Sequence, residues 1–194
     1  MDDLVKAALA KWPNVPHCFG WLGLDARGNW YMRDDSTQAA GPFALEPGET
    51  GQASKGSLLR HDKLIDFIHR NCAADEQGQW FFQNGPQRVY LELEATPFVW
   101  RLQPDGRVLA HTGADAGPVQ RCLLDELGRL YLVTALGLGL VHTSDMALAA
   151  DAVERGNWAP QDVWSKQLPA EFGFVRSPQR LHTARQPSPS AKPH

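Results

Sequence analysis

Several groups of residues in this 194-residue chain could do chemistry. Arg88, Tyr90, Trp100 and Arg101, with Gln87 and Asn84 nearby, combine guanidinium groups with aromatic rings. On strands, such a face can stack a base or clamp a phosphate. Equally, Tyr90 and Trp100 can pack against neighbouring strands while Arg88 pairs with Glu92. His69-x-x-Cys72 would place two metal-ligating types on one helical face, and His17-Cys18 is an adjacent pair. A zinc site needs three or four ligands, usually at paired spacings, and those spacings are absent. A helix-end histidine and buried thiols account for the same residues. Asp34-Asp35 and Asp75-Glu76 offer paired carboxylates, but acidic residues in turns are generally solvated or structural. Ser144-Asp145 reads as a helix start.

The glycine-rich stretches are no stronger. Gly51-Gln-Ala-Ser-Lys55-Gly56-Ser57 resembles a phosphate-binding loop, yet no Lys follows Gly56 and no buried strand precedes it. Gly137-x-Gly139 lacks the third glycine of a dinucleotide fingerprint and reads as strand glycines that allow close backbone approach. No Gly-x-Ser-x-Gly nucleophile elbow occurs. No motif defines an enzyme, and no cofactor or metal is expected.

Charge narrows the partners. Net charge is −3, but four basic and no acidic residues lie from Arg176 onward. The rest therefore holds 15 basic against 22 acidic residues, a net of −7. A body that acidic repels phosphate backbones, so bulk nucleic-acid binding is not expected. Cys18, Cys72 and Cys122 cannot all pair, which favours reduced thiols and a cytoplasmic location. The Met-Asp-Asp start lacks the plan of a signal peptide. No apolar run reaches the about 18 residues that span a bilayer, so no membrane association is expected.

The elements that must position these residues are set by a repeated pattern. Asp25-x-x-Gly28-x-Trp30-Tyr31 returns as Asp75-x-x-Gly78-x-Trp80-Phe81 and as Asp125-x-x-Gly128-x-Leu130-Tyr131. Asp can bond its own backbone, Gly supplies positive φ, and bulky residues launch a strand, so each copy predicts a tight hairpin. Three copies argue for scaffold, and the third tolerates Leu130 in place of Trp.

Along the chain, residues 2–12 predict a short amphipathic helix ended by Pro13. The first hairpin follows, then 34–57 loses periodicity and reads as a long loop. Leu64, Ile65, Phe67 and Ile68 predict a helix over 60–71. After the second turn, Asn84-Gly85 reverses the chain, and Val89, Leu91 and Leu93 alternate with polar partners as a half-buried strand. Strands at 98–102 and 108–111 flank Pro104-Asp105-Gly106. The Gly-Ala-rich 113–118 is the expected boundary between halves. Beyond it come a strand at 119–124, the third turn and a helix from Thr143 or Ser144 to Glu154. Hairpin, connection and helix thus occur twice, at 19–71 and at 119–155. The Pro-, Ser- and Ala-rich 178–194 has little to bury and is expected to be disordered.

The span from Leu24 to Trp100 resembles a bacterial family of unknown function. The matching residues are Asp25 to Tyr31, Lys63 to Phe67, Asp75 to Phe81, and Val89 to Phe98. The resemblance implies an uncharacterised proteobacterial protein with a duplicated fold whose second half is pleckstrin-homology-like. It also implies a ligand site between the halves and a signalling role with a nucleotide-like ligand.

The expectation is therefore an α+β protein of two similar small halves, each a curved antiparallel sheet with a helix. The expected parts are an N-terminal helix and lead-in at 1–18, a first half at 19–112, a smaller second half at 119–177, and the tail. The expected function is a non-enzymatic small-ligand-binding or signalling module, with Arg88, Tyr90, Trp100, Arg101, Trp30 and Trp80 between the halves. The alternative is a protein–protein adaptor using the acidic surface and the tail.

Overall fold

The computed structural model describes residues 1–185. Each Asp-x-x-Gly stretch is a hairpin turn. The Asp25 N–H donates to the Asn29 carbonyl at 3.0 Å and the Gly28 N–H returns to the Asp25 carbonyl at 3.1 Å. The same pair of bonds closes the turns at Asp75 and Asp125. The glycines take φ of 82°, 76° and 73°, a region that costs a residue with a Cβ about 1–2 kcal/mol. Two further turns, Gln103 to Arg107 and Ala110 to Ala114, have the same bonding without the aspartate.

In order, the elements are α1 (Asp3–Lys11), β1 (Cys18–Leu24), β2 (Trp30–Met32), α2 (Asp35–Ala40), β3 (Ser57–Leu58), α3 (Asp62–Arg70), β4 (Cys72–Ala74), β5 (Trp80–Asn84) and β6 (Gln87–Leu93). Then come β7 (Phe98–Leu102), β8 (Val108–Ala110), β9 (Arg121–Asp125), β10 (Leu130–Thr134), β11 (Gly137–Val141), α4 (Met146–Glu154), β12 (Pro160–Val163), α5 (Leu168–Phe172) and α6 (Pro178–Arg185). One six-stranded sheet runs β3-β2-β1-β6-β5-β4, and the other β12-β9-β10-β11-β7-β8.

The duplication lies in the strand order. Hairpin β1–β2 joins meander β4-β5-β6 through a parallel pairing of β1 with β6. Hairpin β7–β8 joins meander β9-β10-β11 through a parallel pairing of β11 with β7. The fold is therefore α+β in two similar halves, and its sheets are mixed rather than wholly antiparallel. The repeat unit also differs from the expected 19–71 and 119–155. The Asp125 turn corresponds to the Asp75 turn, both joining the first two strands of a meander.

The passage between sheets falls at residues 94–97, not at 113–118. Strands 98–102 and 108–110, expected in the first half, belong to the second sheet. Sequence periodicity reports strands but not their partners. Here Glu94 to Pro97 carry the chain from β6 of one sheet to β7 of the other. Thr96 secures the crossing, its Oγ1 accepting the Leu140 N–H of β11 at 2.9 Å.

The apolar core follows from this arrangement. Leu22, Leu24, Trp30, Leu91 and Leu93 of the first sheet pack with Leu123, Tyr131, Leu138 and Leu140 of the second. On the other face of the second sheet, Trp100, Cys122, Leu130 and Leu132 pack with Ala149 of α4. Gly139 is small because a Cβ there would run into the Trp100 indole.

Two stretches differ from expectation. Residues 34–57 hold α2, capped by the Asp34 carboxylate on the Thr37 N–H, and bury Phe43 to 1 % exposure. The first eight residues of the expected disordered tail form α6 on β1 and β6. Polar bonding holds α6 there. Ser177 Oγ and the Gln179 N–H both donate to the Glu92 carboxylate, and Gln179 Oε1 accepts the Arg33 guanidinium at 3.2 Å. The remainder of that expected tail, 186–194, lies outside the described residues.

Candidate functional site

The Asp turns bring charged groups to the junction of the sheets. Asp25 Oδ1 accepts the Arg27 and Asn29 N–H groups, both at 2.8 Å. The Ala26 N–H is then left to Glu94 Oε2 at 2.8 Å. Glu94 stands where the chain leaves the first sheet, so its carboxylate faces the junction. The same Oε2 accepts Lys55 Nζ at 2.8 Å. In the second sheet, Asp125 Oδ2 accepts Arg129 Nε at 2.7 Å and the Tyr131 hydroxyl at 2.9 Å. Burial pushes the Tyr131 phenol up, so it stays a donor to that carboxylate.

Arg176 completes the junction from the C-terminal side. Its Nη2 donates to the Glu94 carbonyl at 2.7 Å and to the Leu45 carbonyl at 3.3 Å, and its Nη1 meets Glu46 Oε2 at 2.7 Å. Its Nε is buried with no partner among the described residues. An unmet buried donor on a cation is costly unless something accepts from it.

Between these groups lies a cleft of about 330 Å³ lined by Phe43, Lys55, Glu94, Leu127, Arg129 and Arg176, among others. Lys55 Nζ also stands 5.8 Å from the Tyr31 ring and 6.0 Å from the Phe43 ring. Three cations from distant parts of the chain thus face one space with an apolar wall. That arrangement can hold an anion and a small apolar or planar body.

The six residues expected at a site are not brought together. Trp30 is 2 % exposed and its Nε1 donates to His69 Nε2 at 2.9 Å. Trp100 is wholly buried and its Nε1 donates to the Leu132 carbonyl at 2.8 Å. Trp80 meets Phe98 edge-on, with centroids 5.1 Å apart. Arg101 is held by Asp145 in a two-bond pair at 2.7 and 3.2 Å. Arg88 and Tyr90 do share a pocket, on the first sheet beside Asp75 rather than at the junction. Arg88 lies over Phe81 at 4.4 Å instead of pairing with Glu92.

The residues that do line the junction were weakly signalled. Lys55 belongs to the stretch set aside as a failed phosphate loop, and Arg129 lies inside the third turn. Arg176 carries no local signal, because only the tertiary fold brings it to Glu94.

The histidines resolve differently. His69 at the end of α3 meets His111 of the second half edge-on, with centroids 5.4 Å apart. Burial lowers both, and His111, next to His69, falls to about 3. Both are neutral, and they pack against Trp30. Among the described residues no three His, Cys, Asp or Glu side chains are grouped to hold a metal ion. No helix among them is long and apolar enough to cross a membrane.

A hairpin-plus-meander unit used twice, with helices on both sheets, defines an α+β protein of two similar halves. A family model described as protein of unknown function (DUF2946) matches residues 1–179, and the chain belongs to that family. Among solved structures it is similar to a DUF1285 family protein from Silicibacter pomeroyi DSS-3, with 13 % identity and a TM-score of 0.46. The alignment covers 78 % of this chain and 84 % of that one. No curated protein matches.

Proposed function

We propose that the chain is a non-enzymatic module that binds a small, nucleotide-like anion in the cleft between its sheets and serves signalling in the cytoplasm. The observation that carries this reading is the convergence of Lys55, Arg129 and Arg176 on one cleft walled by Phe43. Each cation has a carboxylate partner, at 2.8, 2.7 and 2.7 Å respectively. A bound anion would compete for these groups. Ligand exchange at such a site needs only side-chain movement, which suits reversible sensing. The three free cysteines are consistent with a reducing compartment.

The test is thermal-shift screening against nucleoside mono-, di- and triphosphates and cyclic nucleotides. Stabilisation that disappears in Lys55→Gln supports the reading. No shift with any of them sinks its nucleotide form.

A further inference from the structure

A second feature lies away from the junction. Arg88 and Arg185 line one open pocket of about 510 Å³ on the first sheet, with Asp75, Gln77, Gln79, Phe81 and Tyr90 around them. We propose that this pocket is a second anion site, in which Arg88 and Arg185 take the oxyanion of a small organic phosphate or carboxylate.

Neither guanidinium makes an ion pair among the described residues, in contrast to Arg121, Arg129, Arg176 and Arg180. Arg185 Nη1 donates to Gln77 Oε1 at 3.2 Å, a neutral partner that orients it without cancelling its charge. Arg88 rests on the Phe81 ring at 4.4 Å and has the Tyr90 hydroxyl as a side-chain hydrogen-bond partner, a neutral group that leaves its charge uncancelled.

The nearest carboxylate does not satisfy them. Asp75 Oδ1 accepts the Gln77 and Gln79 N–H groups at 2.9 Å each, and its Oδ2 accepts Gln79 Nε2 and the Tyr90 hydroxyl at 3.2 Å each. Four donors occupy that carboxylate. Glu76 also lines the pocket but is exposed. The space exceeds what a bare ion fills and falls in the range for small organic ligands, so the anion carries an organic body. Paired arginines suit tetrahedral and planar oxyanions alike.

Calorimetric titration with phenyl phosphate and with benzoate tests the site and separates the two anion types. At least one probe is expected to bind the full chain. Arg88→Gln and Arg185→Gln are each expected to weaken that binding about tenfold, the size of one charge-assisted hydrogen bond. Glu76→Gln is expected to strengthen it, and Lys55→Gln to leave it unchanged, which keeps this site distinct from the inter-sheet cleft. Phe81→Leu, which keeps both arginines, is expected to weaken it less than loss of either charge. Absence of binding by both probes overturns the proposal. So does binding that persists in the Arg88→Gln, Arg185→Gln double variant, or binding lost in Lys55→Gln instead.

Discussion

The Arg176 guanidinium donates to the main-chain carbonyl of Glu94 at 2.7 Å. The contact ties the segment after α5 to the point where the chain passes between sheets. The Leu93 N–H donates to the Arg176 carbonyl at 2.8 Å, so backbone and side chain clamp the same place. Substituting Arg176 with Gln removes a charge-assisted bond to a partly buried carbonyl. The expected loss is about 1–3 kcal/mol of unfolding free energy in urea titration. Arg180→Gln breaks a pair with Glu49 in which both side chains are 38 % exposed, and is expected to change stability much less, because solvent screens the pair. Equal effects of the two would deny Arg176 its clamping role.

The turn aspartates should rank by burial. Asp125 is 5 % exposed, and its side chain accepts from the Leu127 and Arg129 backbone N–H groups, from Arg129 Nε and from the Tyr131 hydroxyl. Asp125→Ala orphans those donors and is expected to cost about 2–4 kcal/mol. Asp105, in the related turn at Gln103 to Arg107, is exposed and bonds only Arg107. Asp105→Ala should leave the denaturation midpoint nearly unchanged. Chemical denaturation of both variants under one buffer condition makes the comparison.

How much of this was legible in sequence follows from the range of each interaction. The hairpins were, because an aspartate bonding two and four residues ahead is a local event written in Asp-x-x-Gly. The α+β class and the paired halves were legible for the same reason. The parallel pairing of β1 with β6 was not, since Leu22 and Leu91 become neighbours only through the fold. The sheet change at 94–97 was missed because a short Pro-containing connection reads alike whether it turns a hairpin or crosses between sheets. Trp30 and Trp100 looked available for a ligand, yet each spends its indole N–H inside the protein, on His69 and on the Leu132 carbonyl. α6 escaped notice because its anchors, Glu92 and Arg33, lie far from it in sequence.

The histidine pair predicts acid sensitivity. His111 has an ordinary value of 6.5 and is lowered to about 3 by burial and by His69. The unfolded chain therefore binds its proton more readily than the folded one. The stability associated with neutral His111 is complete above about pH 6.5 and is lost as pH falls toward about 3. His69 shifts in the same direction, opposed by Asp66. Between pH 7 and pH 5 the wild type should lose on the order of 1 kcal/mol from this pair. His111→Gln should be less stable at pH 7 and show a flatter dependence across that interval. An unchanged slope in urea unfolding at the two pH values would contradict the assignment.

The proposed anion site lies where Lys55, Arg129 and Arg176 meet. Amide chemical-shift mapping by NMR tests it most directly, using the nucleotide that gives the largest thermal stabilisation. The account predicts shifts centred on Phe43, Lys55, Glu94, Arg129 and Arg176, with Lys55→Gln weakening the titration. Shifts confined to residues away from that junction, or none at saturating nucleotide, would contradict it.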